Sequence, residues 1–156
     1  MRGVLETPTI RRIQRQDKDQ WHELWEAYNA FYGRFGNTAL PTDVTEATWS
    51  RFFDLSEPVE ALIACNGGEL LGLAHYLFHR STISVGVTCY LQDLFTSPDA
   101  RGRGIATLLV EHVCVQARNA GASRVYWQTH ETNETARSLY DKIAEESGFV
   151  VYRITL

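Results

Sequence analysis

The stretch "TSPDARGRGIATLLVEHV", residues Thr96 to Val113, joins a turn rich in glycine and arginine to the start of an apolar helix. The preceding residues, "TCYLQDLF", have the composition of a strand, so the local order is strand, turn, helix. Backbone N–H groups at a helix start have no intrahelical acceptor, and the helix dipole attracts anions. Glycines leave room for a ligand at the main chain. The stretch therefore predicts a turn that binds a diphosphate.

Other phosphate-binding motifs do not fit this turn. A dinucleotide fingerprint needs glycine or alanine where Thr107 stands, and a Walker A loop needs a Gly-Lys-Ser/Thr sequence that is absent. The pattern that remains places Arg101, Gly104 and Ala106 at the spacing R-x-x-G-x-A. "RGRG" alone is equally compatible with an ordinary glycine-containing loop.

Composition narrows the class of protein. A chain of 156 residues predicts one domain, residues 1–156, with a core of its own. Hydrophobic content of 44% and charged content of 22% are ordinary for a soluble globular protein. The net charge of −4, without a basic tract, argues against nucleic acid as a partner. No apolar run approaches the roughly 20 residues of a membrane span, and the first residues lack the apolar core of a signal peptide. We expect a cytoplasmic protein without a membrane partner.

Cysteine and histidine usage predicts no metal site. Cys65, Cys89 and Cys114 lie far apart without a CxxC pair, which argues against a disulfide framework or a zinc site. The five histidines show no metal-ligand spacing. We expect His112 to be a core residue of a buried helix, and His130 to be a weak candidate for the pocket.

The hydrophobic periodicity predicts ten elements. Two predicted helices have candidate caps: Asp17 or Asp19 for the first, Thr45 and Thr48 for the second. In the long fourth strand, the odd-numbered apolar residues from Ile83 to Phe95 are expected on one face. The ranges are strand 7–13, helix 16–32, helix 44–55, strands 60–65, 69–79 and 81–97, helix 103–119, strand 124–130, helix 131–147 and strand 148–156.

This order predicts the α/β (α+β) class. A run of hairpin-linked strands followed by two strand–helix steps indicates a mixed, mostly antiparallel central sheet flanked by helices. The fourth and fifth strands, which are joined by a crossover helix, are expected to be parallel.

Three stretches carry a resemblance to the GCN5-related N-acetyltransferase (GNAT) superfamily, over nearly the whole chain. They are "WHELWEAYNAFYG", "CYLQDLFTSPDARGRG" and "RVYWQTHETNETARSLYDKIAEESGFVVYR". The chain is most similar to the subgroup that contains yeast histone and polyamine acetyltransferases. The resemblance implies the GNAT fold and transfer of the acetyl group of acetyl-CoA to a primary amine in a ternary complex. The amine is that of a small amine, a polyamine, an amino acid or a lysine of a basic peptide such as a histone tail.

The resemblance also implies where acetyl-CoA would bind, without a metal. The main chain of Leu94, Phe95 and Thr96 would pair with the pantetheine arm like an added strand. Asn133 and Tyr140 would also contact the coenzyme. The turn would hold the pyrophosphate mainly through backbone amides from about Gly102 to Thr107. Its expected coenzyme-binding residues are Arg101, Gly102, Arg103, Gly104, Ile105, Ala106 and Thr107.

The last predicted helix carries a candidate general acid. Asn133 is a good N-cap residue, and Tyr140 lies seven residues further on the inward stripe, about two turns away. A phenol that is hydrogen-bonded to the coenzyme A sulfur can protonate the leaving thiolate. Taken alone, Tyr140 is better explained as a core tyrosine below a helix cap, but the resemblance reverses this preference and favours the acid.

The attacking amine must lose a proton, and Asp93 is the candidate base. It falls on the otherwise apolar face of the fourth strand, where a partly buried carboxylate suits that role. An ion pair with a nearby basic residue, or a β-bulge that turns Asp93 outward, remains open. Relatives that acetylate polyamines often have glutamate at the position of Gln92, which cannot take a proton. Water-relayed removal is therefore open, and Glu131 is a weaker candidate.

Aromatic residues of the first helix are candidates for the acceptor side. Tyr28, Phe31 and Tyr32, together with Gln92 and Asp93, are expected to bind the amine substrate, because an aromatic wall suits an amine or alkyl chain. Trp21 and Trp25 are expected in the core instead. The alternative function is an acyl-CoA-binding sensor of the same fold without turnover. Homodimers are common among the relatives, so a homodimer is expected by analogy.

Overall fold

The computed structural model describes residues 6–156. Residues 1–5 lie outside it, and they belong to the stretch for which the sequence predicts no signal peptide. Five strands and four α-helices form in these residues. They are β1 (Thr9–Arg12), α1 (Lys18–Phe31), α2 (Thr42–Arg51), β2 (Val59–Asn66), β3 (Glu69–His79), β4 (Thr88–Thr96), α3 (Ile105–Asn119), β5 (Val125–Tyr126) and α4 (Glu134–Ile143).

The strands form one sheet in the order β1-β2-β3-β4-β5. The first three pairings are antiparallel, and β4 and β5 are parallel, so the predicted mixed sheet is confirmed. The parallel pair is short: it joins Cys89 to Val125 and Tyr90 to Tyr126. Beyond Tyr90, the edge of β4 that faces away from β3 pairs with no described strand.

Helices cover both faces of the sheet. On one face, Trp21 and Trp25 of α1 and Trp49 of α2 pack against Ile63 and Leu73 of the central strands. On the other face, α3 packs on β2, β3 and β4 through a second apolar cluster, which includes Leu62, Tyr76, Leu91, Ile105, Leu109 and Val113. None of the helices in the described range is long and apolar enough to cross a membrane.

Gly72 fixes how closely α3 approaches the sheet. A Cβ at this position would lie 2.8 Å from the carbonyl oxygen of Phe95 and 3.2 Å from Cγ2 of Ile105. Only glycine therefore lets the first turn of α3 lie against β3 and the end of β4.

The fourth strand is shorter than predicted. It starts at Thr88, which pairs with His79, the last residue of β3. No described strand lies beside the residues that precede Thr88. Residues 80–87 form the connection between β3 and β4. The side chains of Ile83 and Val85 are consequently 91% and 99% exposed, and they do not continue the apolar face of β4.

Several helix caps differ from the prediction. Thr45 and Thr48 lie inside α2, which begins at Thr42 with Pro41 at the N-cap. Asp17 occupies the N-cap position of α1 but makes no side-chain cap bond there. Its carboxylate instead accepts hydrogen bonds from Arg11 and from the backbone of Gln14. Residues 127–130, expected in the fifth strand, continue beyond β5 without pairing.

The predicted final strand is wrong for this structure. Residues 148–156 form no secondary structure, and every one of them is exposed, including Phe149 (88%) and Tyr152 (92%). A strand needs a neighbouring edge for its hydrogen bonds. No described strand pairs with this segment, so its alternating composition alone does not produce one.

Candidate active site

The glycine turn before α3 has the backbone that its sequence predicts. Gly102 and Gly104 have φ values of +76° and +74°, and Gly104 is the N-cap of α3. A Cβ at either position would meet no atom within 4 Å. Glycine is therefore needed for the left-handed backbone, and the space in front of the turn is open.

The turn carries hydrogen-bond donors without acceptors. The first N–H of α3 with a backbone acceptor is that of Leu108, which donates to the carbonyl of Gly104 (3.1 Å). The preceding amides, Ile105 to Thr107, have no such acceptor among the described residues. Arg103 adds a buried Nη2 without a hydrogen-bond partner in residues 6–156. The free amides of residues 105–107 suit an anion at this turn.

Arg101 faces the end of β4. Its Nε donates to the carbonyl of Thr96 (3.4 Å), and its guanidinium lies over the ring of Phe95, 5.8 Å from the centroid. Arg101 therefore links the turn to the strand segment Leu94–Thr96, whose outer main-chain edge is unpaired among the described strands.

Where β4 and β5 part, they border a cavity of about 570 Å³. Of the predicted site residues, it brings together Tyr28, Tyr32, Gln92, Asp93, Leu94 and Tyr140. A second cavity of about 450 Å³ lies between α1, α2 and strands β3 and β4. Arg34, Gln92 and Asp93 line both cavities, and we call these three residues the junction.

Asp93 is buried and lies in a network of hydrogen-bond donors. Its Oδ2 is 3.0 Å from Nδ1 of His75, whose Nε2 is 3.0 Å from Nε1 of Trp21. The phenol of Tyr28 lies beside the same carboxylate. Burial, and then the charge of Asp93, raise the pKa of Tyr28, so this phenol keeps its proton.

A β-bulge turns Asp93 toward α1. His75 pairs with Asp93 and the next residue of β3, Tyr76, pairs with Leu91, so Gln92 is the extra residue of β4. Leu91 consequently belongs to the α3 cluster, whereas Phe95 belongs to the α1 cluster. The expectation that the odd-numbered apolar residues of β4 share one face is therefore wrong, because odd-numbered residues before and after the bulge face opposite sides of the sheet.

Tyr140 lies on α4 at the wall of the larger cavity. Its ring meets that of Trp127 edge to face, with 5.4 Å between the centroids. Burial, with a smaller effect of Tyr32, raises the pKa of Tyr140 to about 12, so the hydroxyl is a donor at neutral pH. Asn133 caps the same helix as predicted, through Oδ1 and the N–H of Ala136 (3.2 Å), but it lines neither cavity.

Other candidates lie apart from the cavities. Phe31 is 59% exposed and lines neither cavity, and Glu131 is exposed and lines neither. His112 is exposed, contrary to the prediction, because it lies on the outer face of α3 and bonds to the carbonyl of Leu108. His130 lines the larger cavity, and buried Trp25 lines the smaller one.

His75, Arg34 and Trp127 are among the cavity residues that were not predicted as site residues. His75 gave one usable signal, since it is the single histidine in the apolar run "LLGLAHYLF", in which Tyr76 is the only other residue with a polar group on its side chain. Its pairing with Asp93 depends on the bulge in β4, which no local sequence pattern predicts. In residues 6–156, no group of three or more His, Cys, Asp or Glu side chains could hold a metal ion.

The mixed sheet, the open glycine turn and the polar cavity between diverging strands agree with the class of protein that the comparison of families gives, an acetyltransferase. A family profile described as "Acetyltransferase (GNAT) family" matches residues 21–144. The chain therefore belongs to the GNAT family, and the protein is an acetyltransferase.

Relatives agree with this assignment. The chain is 32% identical over 146 residues to the D-amino-acid N-acetyltransferase HPA3 of Saccharomyces cerevisiae. The aligned region covers 92% of this chain and 88% of the relative. It is 29% identical over 104 residues to the thialysine N-epsilon-acetyltransferase of Mus musculus (64% and 61%). The solved structure of AAC(6')-Iy in complex with a bisubstrate analogue of coenzyme A has a TM-score of 0.81 over 97% of this chain and 99% of the other, at 18% identity.

Proposed function

We propose that this acetyltransferase moves the acetyl group of acetyl-CoA to a primary amine by direct attack within a ternary complex. The observation that carries this proposal is the presence of Asp93 and Tyr140 in the wall of one cavity, where β4 and β5 part. A carboxylate and a protonated phenol at one cavity supply the base and the acid that amide formation from a thioester requires.

The features at the start of α3 support acetyl-CoA as the donor. The free amides of residues 105–107 and the unpaired Nη2 of Arg103 suit the pyrophosphate. The unpaired edge of β4 from Leu94 to Thr96 suits the amide groups of the pantetheine arm. Bound in this way, the coenzyme would supply an acetyl thioester at the larger cavity.

The acceptor chemistry would begin at the junction. The amine nitrogen attacks the thioester carbonyl carbon, and Asp93 takes the proton that the nitrogen loses. The C–S bond then breaks, and the sulfur leaves as a thiolate. The hydroxyl of Tyr140 stabilises this thiolate by a hydrogen bond and gives it a proton, and the proton held by Asp93 then returns to the phenolate through the cavity that both residues line. The products are the N-acetyl amine and coenzyme A thiol.

We further propose that the acceptor is a small amine that also carries a carboxylate. The yeast relative is named a D-amino-acid N-acetyltransferase. In this chain, the smaller cavity is lined by Asp93, which suits an ammonium group, and by Arg34 and Arg51, which suit a carboxylate. This arrangement fits an amino acid better than a polyamine, since the two arginines would repel a second ammonium group.

One experiment tests the function directly. Purified protein is incubated with acetyl-CoA and a panel of amino acids of both configurations, polyamines, a histone-tail peptide and a hydroxyl acceptor, while thiol release and the acetylated product are measured. We expect transfer to amines in the wild-type protein and a large loss in Asp93→Asn. Tight binding of acetyl-CoA without any transfer would instead identify an acyl-CoA sensor, and transfer to the hydroxyl acceptor alone would contradict an amine acceptor.

We also propose that the chain is one cytoplasmic domain that forms a homodimer. The exposed segment 148–156 supports the dimer, because contiguous apolar side chains such as Phe149 and Val151 gain free energy when another surface covers them. The outer edge of β5, the last strand of the sheet, is unpaired among the described strands and would be open to a second copy. The free thiols of Cys65, Cys89 and Cys114 support a reducing compartment.

A further inference from the structure

A line of buried side chains leads from the α1 core to Asp93. Nε1 of Trp21, which is fully buried, is 3.0 Å from Nε2 of His75, and Nδ1 of His75 is 3.0 Å from Oδ2 of Asp93. His75 is itself only 3% exposed. The residues come from α1, β3 and β4, so the line crosses the interface between the helix layer and the sheet.

The hydrogen bonds fix the tautomer of His75. An indole N–H is a donor only, so Nε2 of His75 must accept and cannot carry a proton. The ring proton is therefore on Nδ1, which donates to the carboxylate. An imidazolium would oppose two N–H groups at 3.0 Å, so this geometry requires the neutral ring.

The same geometry excludes a proton relay through His75. A relay would need Nε2 to gain or lose a proton at its far side, but Trp21 occupies that side and has no lone pair to accept one. Packing also holds the ring in place. The rings of Phe52 and Trp25 lie 4.8 and 5.0 Å from that of His75, centroid to centroid.

We propose that His75 is a positioning residue: locked by Trp21 in the Nδ1–H tautomer, it holds the carboxylate of Asp93 in place at the junction, where it would receive the proton of the acceptor amine. This inference rests on the proposed function for the role of Asp93 and extends it to two residues that touch neither substrate. In this arrangement Nδ1–H of His75 is a fixed donor to the Asp93 carboxylate. A proton that Asp93 takes up cannot pass on through His75, so it can leave only on the side of the cavities.

Trp25 provides a matched control for Trp21. Both indoles are buried in the same cluster and stack on each other, with centroids 6.1 Å apart, and both rings contact His75. Nε1 of Trp25, however, has no hydrogen-bond partner in the described part of the chain. Trp21→Phe and Trp25→Phe therefore remove the same atoms, but only the first removes the lock on His75.

The first measurement is the tautomer itself, by ¹⁵N NMR of the histidine side chains in the full chain, with His75→Asn to assign the signal. At neutral pH we expect a protonated Nδ1 and a bare Nε2 in wild type and in Trp25→Phe, and in Trp21→Phe, where no donor faces Nε2, a ring that carries a proton on both nitrogens. A protonated Nε2 or a doubly protonated ring in wild type would overturn the proposal.

The second measurement is the ¹³C NMR signal of the Asp93 carboxyl at one neutral pH, which needs no activity. We expect this signal to shift in His75→Leu, which removes the donor to Oδ2, and in Trp21→Phe, which releases the ring that carries that donor. We expect it to stay in Trp25→Phe and to be largely restored in His75→Asn, whose amide nitrogen replaces Nδ1–H. Tyr28 of α1, Arg34 after α1, and Tyr90 of β4 also face this carboxylate or share its cavities, and they are unchanged in all four variants.

Activity supplies the third readout. At neutral pH, kcat/KM should fall about tenfold in Trp21→Phe and in His75→Leu, because a hydrogen bond that holds a charged group is lost or loosened, and it should be largely restored in His75→Asn. Equal Asp93 carboxyl signals in Trp21→Phe and Trp25→Phe would refute the positioning role. If wild type acetylates nothing, the proposed function fails, while the two NMR measurements still decide whether His75 positions Asp93.

Discussion

The buried amide of Asn29 holds Arg34: Nε of Arg34 donates to Oδ1 of Asn29 across 2.6 Å. The guanidinium also lies near the rings of Tyr28 and Tyr32, at 5.9 and 5.4 Å. Nε is therefore occupied, and the two terminal nitrogens make no hydrogen bond within residues 6–156. Since Arg34 lines both cavities, these nitrogens are free to bind a carboxylate at the junction.

Arg34→Gln should raise the KM for an amino acid acceptor by about 10- to 100-fold, because a hydrogen bond between two charged groups is lost. The KM for acetyl-CoA, and for an amine of similar size without a carboxylate, should change far less. Steady-state kinetics with the two kinds of acceptor measures both KM values. Arg118→Gln, at an exposed position of α3 away from the cavities, is the control. An equal effect on both acceptors would show that Arg34 does not recognise a carboxylate.

Gly104→Glu should abolish acetyl-CoA binding, because it adds a negative charge at the donor-rich turn and forces a side chain onto a backbone with φ of +74°. The strain alone costs about 1–2 kcal/mol of stability. Gly67→Glu is the control, since Gly67 has φ of +60° in the β2–β3 turn and equally open space. Calorimetry on the folded proteins measures both affinities. Similar acetyl-CoA affinity in the two variants would remove the turn from the binding site.

Tyr140→Phe should reduce kcat by about 10² to 10⁴ while leaving acetyl-CoA affinity nearly unchanged. The substitution keeps the edge-to-face packing on Trp127 and removes only the hydroxyl. Tyr90→Phe, in the wall of the same cavity, is the matched control. Pre-steady-state kinetics should separate chemistry from product release, and a wild-type chemical rate in Tyr140→Phe would make Tyr140 a packing residue.

The raised pKa of Tyr140 has a consequence for stability at high pH. The folded value of about 12 exceeds an ordinary tyrosine value of about 10, so the folded state holds this proton more tightly. Its contribution is complete below pH 10 and is lost as pH rises toward 12. We expect the free energy of unfolding to fall less steeply over this range in Tyr140→Phe than in wild type, as measured by urea titration. Parallel pH profiles for the two proteins would contradict the assignment.

Arg11→Met should destabilise the fold by about 2–3 kcal/mol, because it leaves the buried carboxylate of Asp17 without its two-pronged partner. Arg12→Met, which breaks an exposed pair with Glu60, should cost less than about 1 kcal/mol. Burial opposes ionisation of Asp17, but the bonds from Arg11 and Gln14 outweigh it and lower the pKa of Asp17. The stabilisation is thus present above about pH 4 and disappears as pH falls through the lowered value. Urea titrations at pH 7 and pH 3 measure the difference, and an equal cost at both would argue against it.

The sequence predicts the features that depend on local signals. Helix α4 with its Asn133 cap, the turn at Gly102 and Gly104, and the element order each follow from spacing or residue type. The tertiary fold then follows because hairpins and crossovers leave few arrangements of the sheet.

What the sequence does not predict depends on pairing between distant residues. The bulge at Gln92 and the contact of His75 with Asp93 arise from the register of β3 against β4, which alternation alone does not determine. Likewise, the composition of residues 148–156 indicates a strand, but a strand also requires an edge, and no edge in the described chain pairs with this segment.

The bulge at Gln92 also determines which kinds of sequence change β4 can tolerate. The strand is two half-strands of opposite parity, so Leu91 and Asp93, although two residues apart, serve different layers. Deleting Gln92 itself would make Leu91 and Asp93 consecutive, and consecutive residues of a regular strand face opposite layers, so both would keep the layers they have. Deleting any other residue of β4 would leave the bulge in place, and every residue on one side of the deletion would exchange layers. The strand therefore tolerates the loss of one residue at the bulge, whereas the same loss elsewhere in β4 would change the site and the core together.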